Sequence, residues 1–118
     1  LREEAVLFTA HWDHLGVGRA VVGDAIYNGA ADNATGTALL MELARAWAAQ
    51  PTRPRRSALF LAVTAEEKGL LGSKYYAENP LVPLGKTALG LNFDMILPLG
   101  VPESVVVNGS ERTTALPW

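Results

Sequence analysis

The stretch Leu59-Phe60-Leu61-Ala62-Val63-Thr64-Ala65-Glu66-Glu67-Lys68-Gly69 constrains the fold of this chain more than any other. It opens as an unbroken apolar run, too short to span a bilayer and rich enough in large side chains for a buried strand. Strands buried on both faces belong to parallel sheets covered by helices. The stretch closes on two adjacent carboxylates and a glycine. A buried strand has no reason of its own to end in Glu-Glu, but open α/β sheets collect their chemistry at the carboxyl ends of the strands. The decisive question is whether other strands end the same way.

Ala5 to Ala10 reads as a first buried strand that runs into His11-Trp12-Asp13-His14. A glycine-rich stretch follows, in which Ala20-Val21-Val22 and Ala25-Ile26-Tyr27 flank Gly23-Asp24 as a small hairpin. After Asp32-Asn33-Ala34-Thr35-Gly36 the pattern predicts a helix over residues 34–49. Leu39, Leu40, Leu43 and Trp47 fall on one face of it, Glu42 and Arg45 lie off that face, and Pro51 and Pro54 stop it. The opening strand, 57–65, comes next. Leu70 to Asn79 is a second helix, closed by Pro80. Ala88 to Phe93 is a third strand ending at Asp94, and Ser104 to Val107 is a candidate short fourth, ahead of a polar tail from Asn108 to Trp118. This alternation predicts an α/β fold with a mixed, largely parallel sheet flanked by helices.

At 118 residues the chain is one domain at most. A net charge of −2 argues against a nucleic-acid or acidic-membrane partner. Arg53, Arg55 and Arg56 cluster, but among prolines just before a strand, where a solvated loop explains them. Without cysteine, disulfides and thiolate metal sites are excluded and the redox compartment stays open. Neither a signal peptide nor a membrane-spanning segment is visible. The chain begins at Leu1 and enters a strand almost at once, which reads as an excised or processed piece. Gly16-Val17-Gly18 follows a strand, but Val21 occupies the third glycine's place and no dinucleotide fingerprint results. There is no Gly-x-Ser-x-Gly elbow and no P-loop lysine motif. The acceptor tripeptides at Asn33-Ala34-Thr35 and Asn108-Gly109-Ser110 are of a kind common by chance.

The strand ends carry the chemistry. The first supplies His11 and Asp13, the second Glu66 and Glu67, the third Asp94, and Asp32 stands at the mouth of the first helix. If the strands are parallel neighbours, these carboxylates and one histidine converge on one rim. Unpaired there, they would repel and be costly to desolvate. A divalent cation removes that cost, and imidazole with carboxylates suits zinc, or less specifically manganese or cobalt. Each residue has a plainer explanation alone. His11 reads as a hydrogen-bonded histidine, Asp32 or Asn33 as a helix N-cap, Glu66-Glu67-Lys68 as a solvated turn, and Asp94 as the first polar residue of a loop. Their coincidence at strand ends favours the site.

Taken together, His11-Trp12-Asp13, Asp32-Asn33-Ala34-Thr35-Gly36, Glu66-Glu67 with Gly69-Leu70-Leu71-Gly72-Ser73, and Asn92-Phe93-Asp94-Met95 resemble the co-catalytic di-zinc aminopeptidases. This is metallopeptidase family twenty-eight, with leucyl-type bacterial aminopeptidases and glutamate carboxypeptidase and transferrin-receptor relatives. The resemblance covers about residues 5–97 and implies the zinc-exopeptidase (phosphorylase/hydrolase-like) fold. It implies that His11 and Asp94 bind the first zinc, that Asp32 bridges both metals, and that Glu67 binds the second. It makes Glu66 the general base and Asp13 the carboxylate that orients the His11 imidazole. It also implies a cis peptide bond between Asp32 and Asn33. The expected activity is removal of N-terminal residues from peptides through a bridging metal hydroxide, the substrate's free amine being held at the second metal.

The chain departs from that pattern at one point. The family's second zinc takes a further histidine far downstream, whereas this chain has only His11 and His14. His14, three residues from His11, reads as a loop residue rather than a substitute ligand. Residues 1–118 are therefore expected to be the N-terminal part of a truncated peptidase domain. Two zinc ions are expected per complete domain, with one at most held here and little turnover by the piece alone. Alternative readings are a glutaminyl-cyclase-like single-zinc acyltransferase and a non-catalytic binding relative of the same fold. A secreted or periplasmic location is what the resemblance implies.

Overall fold

The first apolar run of the sequence becomes the central strand. In a computed structural model, which describes residues 2–96, 100–101 and 103–114, β1 (Ala5–His11) lies between β4 (Ser57–Val63) and β5 (Thr87–Asn92). Both pairings are parallel, with His11 opposite Val63 and Thr9 opposite Asn92. Parallel neighbours need crossovers, and helices supply them. α1 (Thr35–Ala48) links β1 to β4, and α2 (Leu71–Glu78) links β4 to β5 across β1. The strand order β4-β1-β5 therefore reverses direction at β1, and the carboxyl end of β1 is a topological switch point.

Side-chain alternation decides what each face meets. Val6, Phe8 and Ala10 of β1 turn toward α1 and pack with Leu40, Leu43 and Trp47, together with Ala58, Phe60, Leu91 and Phe93. Phe8 is the centre of this core. Its ring stacks on Phe60 at 5.0 Å, meets Trp47 edge-on at 5.5 Å and lies parallel to Phe93 at 6.5 Å. Burying such a ring contributes about 1.5–3 kcal/mol, and each aromatic pair adds about 0.5–1.5 kcal/mol. Leu7, Thr9 and His11 face the opposite way, where with Leu61 and Val63 they line a cavity of about 410 Å³ closed by Leu70, Ser73, Tyr76 and Ala77. The two helices thus cover opposite faces, as the alternating pattern required.

Element bounds follow the expected ones closely, with two differences. The hairpin comprises β2 (Gly16–Val21) and β3 (Asp24–Tyr27), so its turn is Val22-Gly23 and not Gly23-Asp24. Asp24 instead opens the second strand, its carboxylate accepting from the Ile26 amide at 2.9 Å. Val22, fully exposed, holds φ +51°, a left-handed conformation that a β-branched residue adopts at a cost of about 1–2 kcal/mol. Val22→Asn is therefore expected to raise the stability by about 1 kcal/mol; an unchanged or lower melting temperature would contradict the turn assignment.

Ser104–Val107 is not a strand. Three valines favour an extended backbone, but a strand needs a ladder partner, and among the described residues this stretch has none. Val105 and Val106 are exposed. Of the expected polar tail, Ser110–Arg112 forms one short 3₁₀ turn, and residues 115–118 lie outside the described residues.

Candidate metal centre

The parallel register brings the strand ends level. Beyond their last pairings the ladders continue by one bond each, Trp12 N–H to the Val63 carbonyl at 3.1 Å and Phe93 N–H to the Thr9 carbonyl at 2.9 Å. His11 and Asp94, each two residues past the Thr9–Asn92 pair, consequently stand side by side. The His11 backbone is held from α1, whose Thr37 hydroxyl donates to the His11 carbonyl at 3.1 Å.

His11 is 1% exposed. Its Nδ1 lies 3.0 Å from the backbone carbonyl of Asp13, an acceptor only, so Nδ1 carries the proton and donates. Nε2 is then left with a lone pair, 3.0 Å from Asp32 Oδ1 and 3.4 Å from Asp94 Oδ1. The residue expected to orient the imidazole thus does so through its main chain, while the Asp13 carboxylate stands 3.9 Å away. Burial opposes protonation of His11. The Asp13 hydrogen bond and the negative charges of Asp94, Asp32 and Glu66 outweigh it, raising the pKa above the ordinary 6.5. In the metal-free chain this linkage stabilises the fold below the unfolded value and is lost as pH rises through the raised folded one.

Asp32 sits in an irregular turn, Ala30–Ala34, that precedes α1, and the Asp32–Asn33 peptide is cis. Asp32 and Asn33 were interchangeable as caps in the sequence; here they separate. Asn33, 1% exposed, takes the capping role, its Oδ1 accepting from Gly36 N–H at 3.0 Å. The same oxygen accepts from Met95 N–H at 3.2 Å, and Nδ2 donates to the Phe93 carbonyl at 3.0 Å. One buried amide therefore ties the turn carrying Asp32 to the loop carrying Asp94. Gly36 is required beside it, since a Cβ there would come within 2.6 Å of the Phe93 carbonyl oxygen. Composition and spacing marked Asn33 only as a cap; nothing in them pointed to the second loop.

Glu66 and Glu67 lie in the turn between β4 and α2. The Glu66 carbonyl accepts from Gly69 and Leu70 N–H at 2.9 and 2.8 Å, which closes the turn. The two side chains then part. Glu66 lines the cavity with His11, Val63, Leu70 and Tyr76. Glu67 Oε1 reaches to 2.6 Å from Nδ1 of His14. His14, expected as a loop residue only, thus stands beside Glu67 and Asp32.

Two groups of potential ligand atoms result, His11 with Asp32 and Asp94, and His14 with Asp32 and Glu67, each within 4.8 Å. Asp32 belongs to both. His11 Nε2, His14 Nδ1, Asp32 Oδ1 and Glu67 Oε1 are all buried without a hydrogen-bond partner despite their close spacing. Buried polar atoms are normally paired, and leaving one unpaired costs about 1–3 kcal/mol. A cation placed between these atoms would take up their lone pairs. Nitrogen and carboxylate donors suit zinc.

Comparison with known proteins agrees with this geometry. Residues 2–116 match the sequence pattern of Peptidase family M28. The chain belongs to this family. Among similar proteins, leupeptin-inactivating enzyme 1 of Streptomyces exfoliatus is 41% identical over 76 residues, 62% of this chain and 17% of that protein. Aminopeptidase YwaD of Bacillus subtilis is 32% identical over 94 residues, 79% of this chain and 18% of its own length. A probable zinc metalloprotease of Pyricularia oryzae is 50% identical over 51 residues, 43% of this chain and 10% of that protein. The chain thus spans under a fifth of the length of these relatives. No solved structure matches it. Membership of M28 classes the chain with the metallopeptidases, and the two ligand groups give it the capacity to bind zinc. No helix among the described residues is long and apolar enough to cross a membrane.

Proposed function

We propose that this chain carries the metal centre of a zinc-dependent aminopeptidase, which removes N-terminal residues from peptides. The observation that carries the reading is the Asp32 carboxylate, common to two groups that each add an imidazole and a private carboxylate. His11, Asp94 and Asp32 would hold one cation, and Glu67 and Asp32 would contribute to the other. When bound, such a pair supplies Lewis-acid polarisation of the scissile carbonyl, acidifies a water nucleophile and anchors the substrate's free amine.

The chain's own residues do the rest. Glu66, not engaged with His14 as Glu67 is, accepts the proton of the attacking water and passes it to the departing amine as the C–N bond breaks. Two adjacent glutamates serve because one must coordinate while the other stays free to carry a proton. The Asp13 carbonyl keeps the His11 proton on Nδ1, so that Nε2 presents its lone pair to the centre. The substrate class is a peptide with a free N-terminus.

The complete zinc-loaded protein that contains this chain is expected to hydrolyse leucine p-nitroanilide, to leave the N-acetylated anilide intact and to stop on chelation. Equal cleavage of the acetylated substrate would contradict an exopeptidase. Cyclisation of a glutaminyl peptide without anilide hydrolysis would replace the reading with an acyltransferase.

A further inference from the structure

We infer that the cleft between the end of α1 and the start of β4 binds a small ligand carrying two phosphate groups. The cleft lies at the amino ends of β1 and β4, and the metal centre lies at their carboxyl ends. The length of β1 separates the two by about 20 Å. The inference therefore stands independently of the peptidase reading.

Four arginines line this cleft of about 910 Å³, Arg53, Arg55 and Arg56 from the loop after α1 and Arg2 from the segment before β1. Among the described residues no carboxylate lines it. A solvated loop suffices for the first three in the sequence alone. The fold adds a fourth arginine from about fifty residues earlier in the chain and makes the surface concave. Ser57 stitches the two segments together, its N–H donating to the Glu4 carbonyl at 3.0 Å and its hydroxyl to the Arg2 carbonyl at 3.3 Å. Pro51 and Pro54 fix the backbone on either side of Arg53, so the loop has little freedom to lose on binding.

Elsewhere the chain pairs its cations, Arg45 with Glu42, Lys86 with Glu3 and Arg112 with Glu111. In the cleft only Arg56 has a carboxylate, that of Glu4 at 2.8 Å. Arg2, Arg53 and Arg55 have no ion pair among the described residues. In a chain of net charge −2, gathering three uncompensated guanidinium groups on one concave surface costs self-repulsion. The C-terminus of α1 offers about half a negative charge, enough to favour one cation but not this group. An anion held among them removes the repulsion.

Guanidinium meets phosphate through two parallel N–H···O bonds, which a rigid fork of donors suits. A ligand with two phosphate monoesters carries about three to four negative charges at pH 7. That matches the three arginines without a partner. The volume is within the range of small-molecule sites, and Trp47, packed edge-on against Phe8, gives an apolar wall for the carbon skeleton. A long polyanion would meet net negative charge beyond the cleft.

The test is a calorimetric titration of the complete protein with fructose bisphosphate at about 0.15 M salt, with orthophosphate and citrate as comparison anions. The wild type is expected to bind the bisphosphate at least about tenfold more tightly than either comparison anion. Arg53→Gln and Arg55→Gln are each expected to weaken binding by about ten- to a hundredfold. Both side chains are exposed, so both variants should keep the wild-type melting temperature. Arg19→Gln removes the same charge from the exposed hairpin and should leave the affinity within about twofold. A bisphosphate held at the metal centre would be indifferent to all three substitutions. Absence of binding, an affinity unchanged in Arg53→Gln and Arg55→Gln, or an equal loss in Arg19→Gln would overturn the inference. Citrate bound as tightly as the bisphosphate would overturn it as well, since the cleft would then select charge and not phosphate.

Discussion

In the complete protein, Glu66→Gln is expected to lower anilide hydrolysis by roughly 10²–10⁴-fold while zinc content stays at the wild-type value. The substitution preserves side-chain volume and leaves the Glu66 carbonyl free to accept from Gly69 and Leu70, so the turn between β4 and α2 keeps its shape. It removes only the capacity to take up a proton. The loss corresponds to about 3–5 kcal/mol of transition-state stabilisation. Glu67→Gln should behave differently, because Glu67 approaches His14 and its loss falls on metal retention. Parallel turnover and atomic-absorption measurements on the two variants separate the roles. Residual activity of Glu66→Gln within a few-fold of wild type would remove Glu66 from proton transfer.

Asn33→Ala is expected to have the largest effect on stability among substitutions at the rim. The amide makes three bonds, to Gly36 N–H, Met95 N–H and the Phe93 carbonyl, from a side chain that solvent does not reach. An alanine would strand two donors and one acceptor, each worth about 1–3 kcal/mol when left unsatisfied. Partial relaxation brings the expected total to about 3–5 kcal/mol, which for a chain of this size is a fall in melting temperature of roughly 15 °C or more. The damage should extend to function, since this amide holds Asp32 and Asp94 in register with His11. Weaker zinc binding at the His11–Asp94 group should therefore accompany the lower melting temperature. A variant with wild-type stability and wild-type zinc affinity would show that the two loops are held by something else.

Much of this arrangement was legible in the sequence. The apolar runs 5–10 and 59–63, each too short for anything but a strand and each ending in ionisable residues, already implied a parallel sheet with a polar rim. Leu40, Leu43 and Trp47 identified the face of α1 that packs on Phe8. The misses have particular physical causes. Val105-Val106-Val107 suggested a strand by propensity, but pairing is a property of neighbours, which local sequence does not report. The hairpin turn falls at Val22-Gly23, one residue before the expected Gly23-Asp24, and propensity does not point there because β-branched side chains avoid the positive φ that Val22 holds. His14, three residues after His11, reads locally as a loop residue. Its approach to Glu67 is a tertiary contact across more than fifty residues, which local sequence does not report. Asn33 was read by its local role, and its reach to Phe93 and Met95 crosses some sixty residues.

Asp32, shared by both ligand groups at the carboxyl end of the parallel sheet, is the residue on which a two-cation centre would depend. Zinc content after equilibrium dialysis of the wild type, Asp94→Asn and Asp32→Asn tests this dependence most directly. For the complete protein, two ions in the wild type, one for Asp94→Asn and none for Asp32→Asn are the predicted values, because only Asp32 is common to both ligand groups. An Asp32→Asn variant that retains the wild-type zinc content, with its fold intact by circular dichroism, would contradict the account.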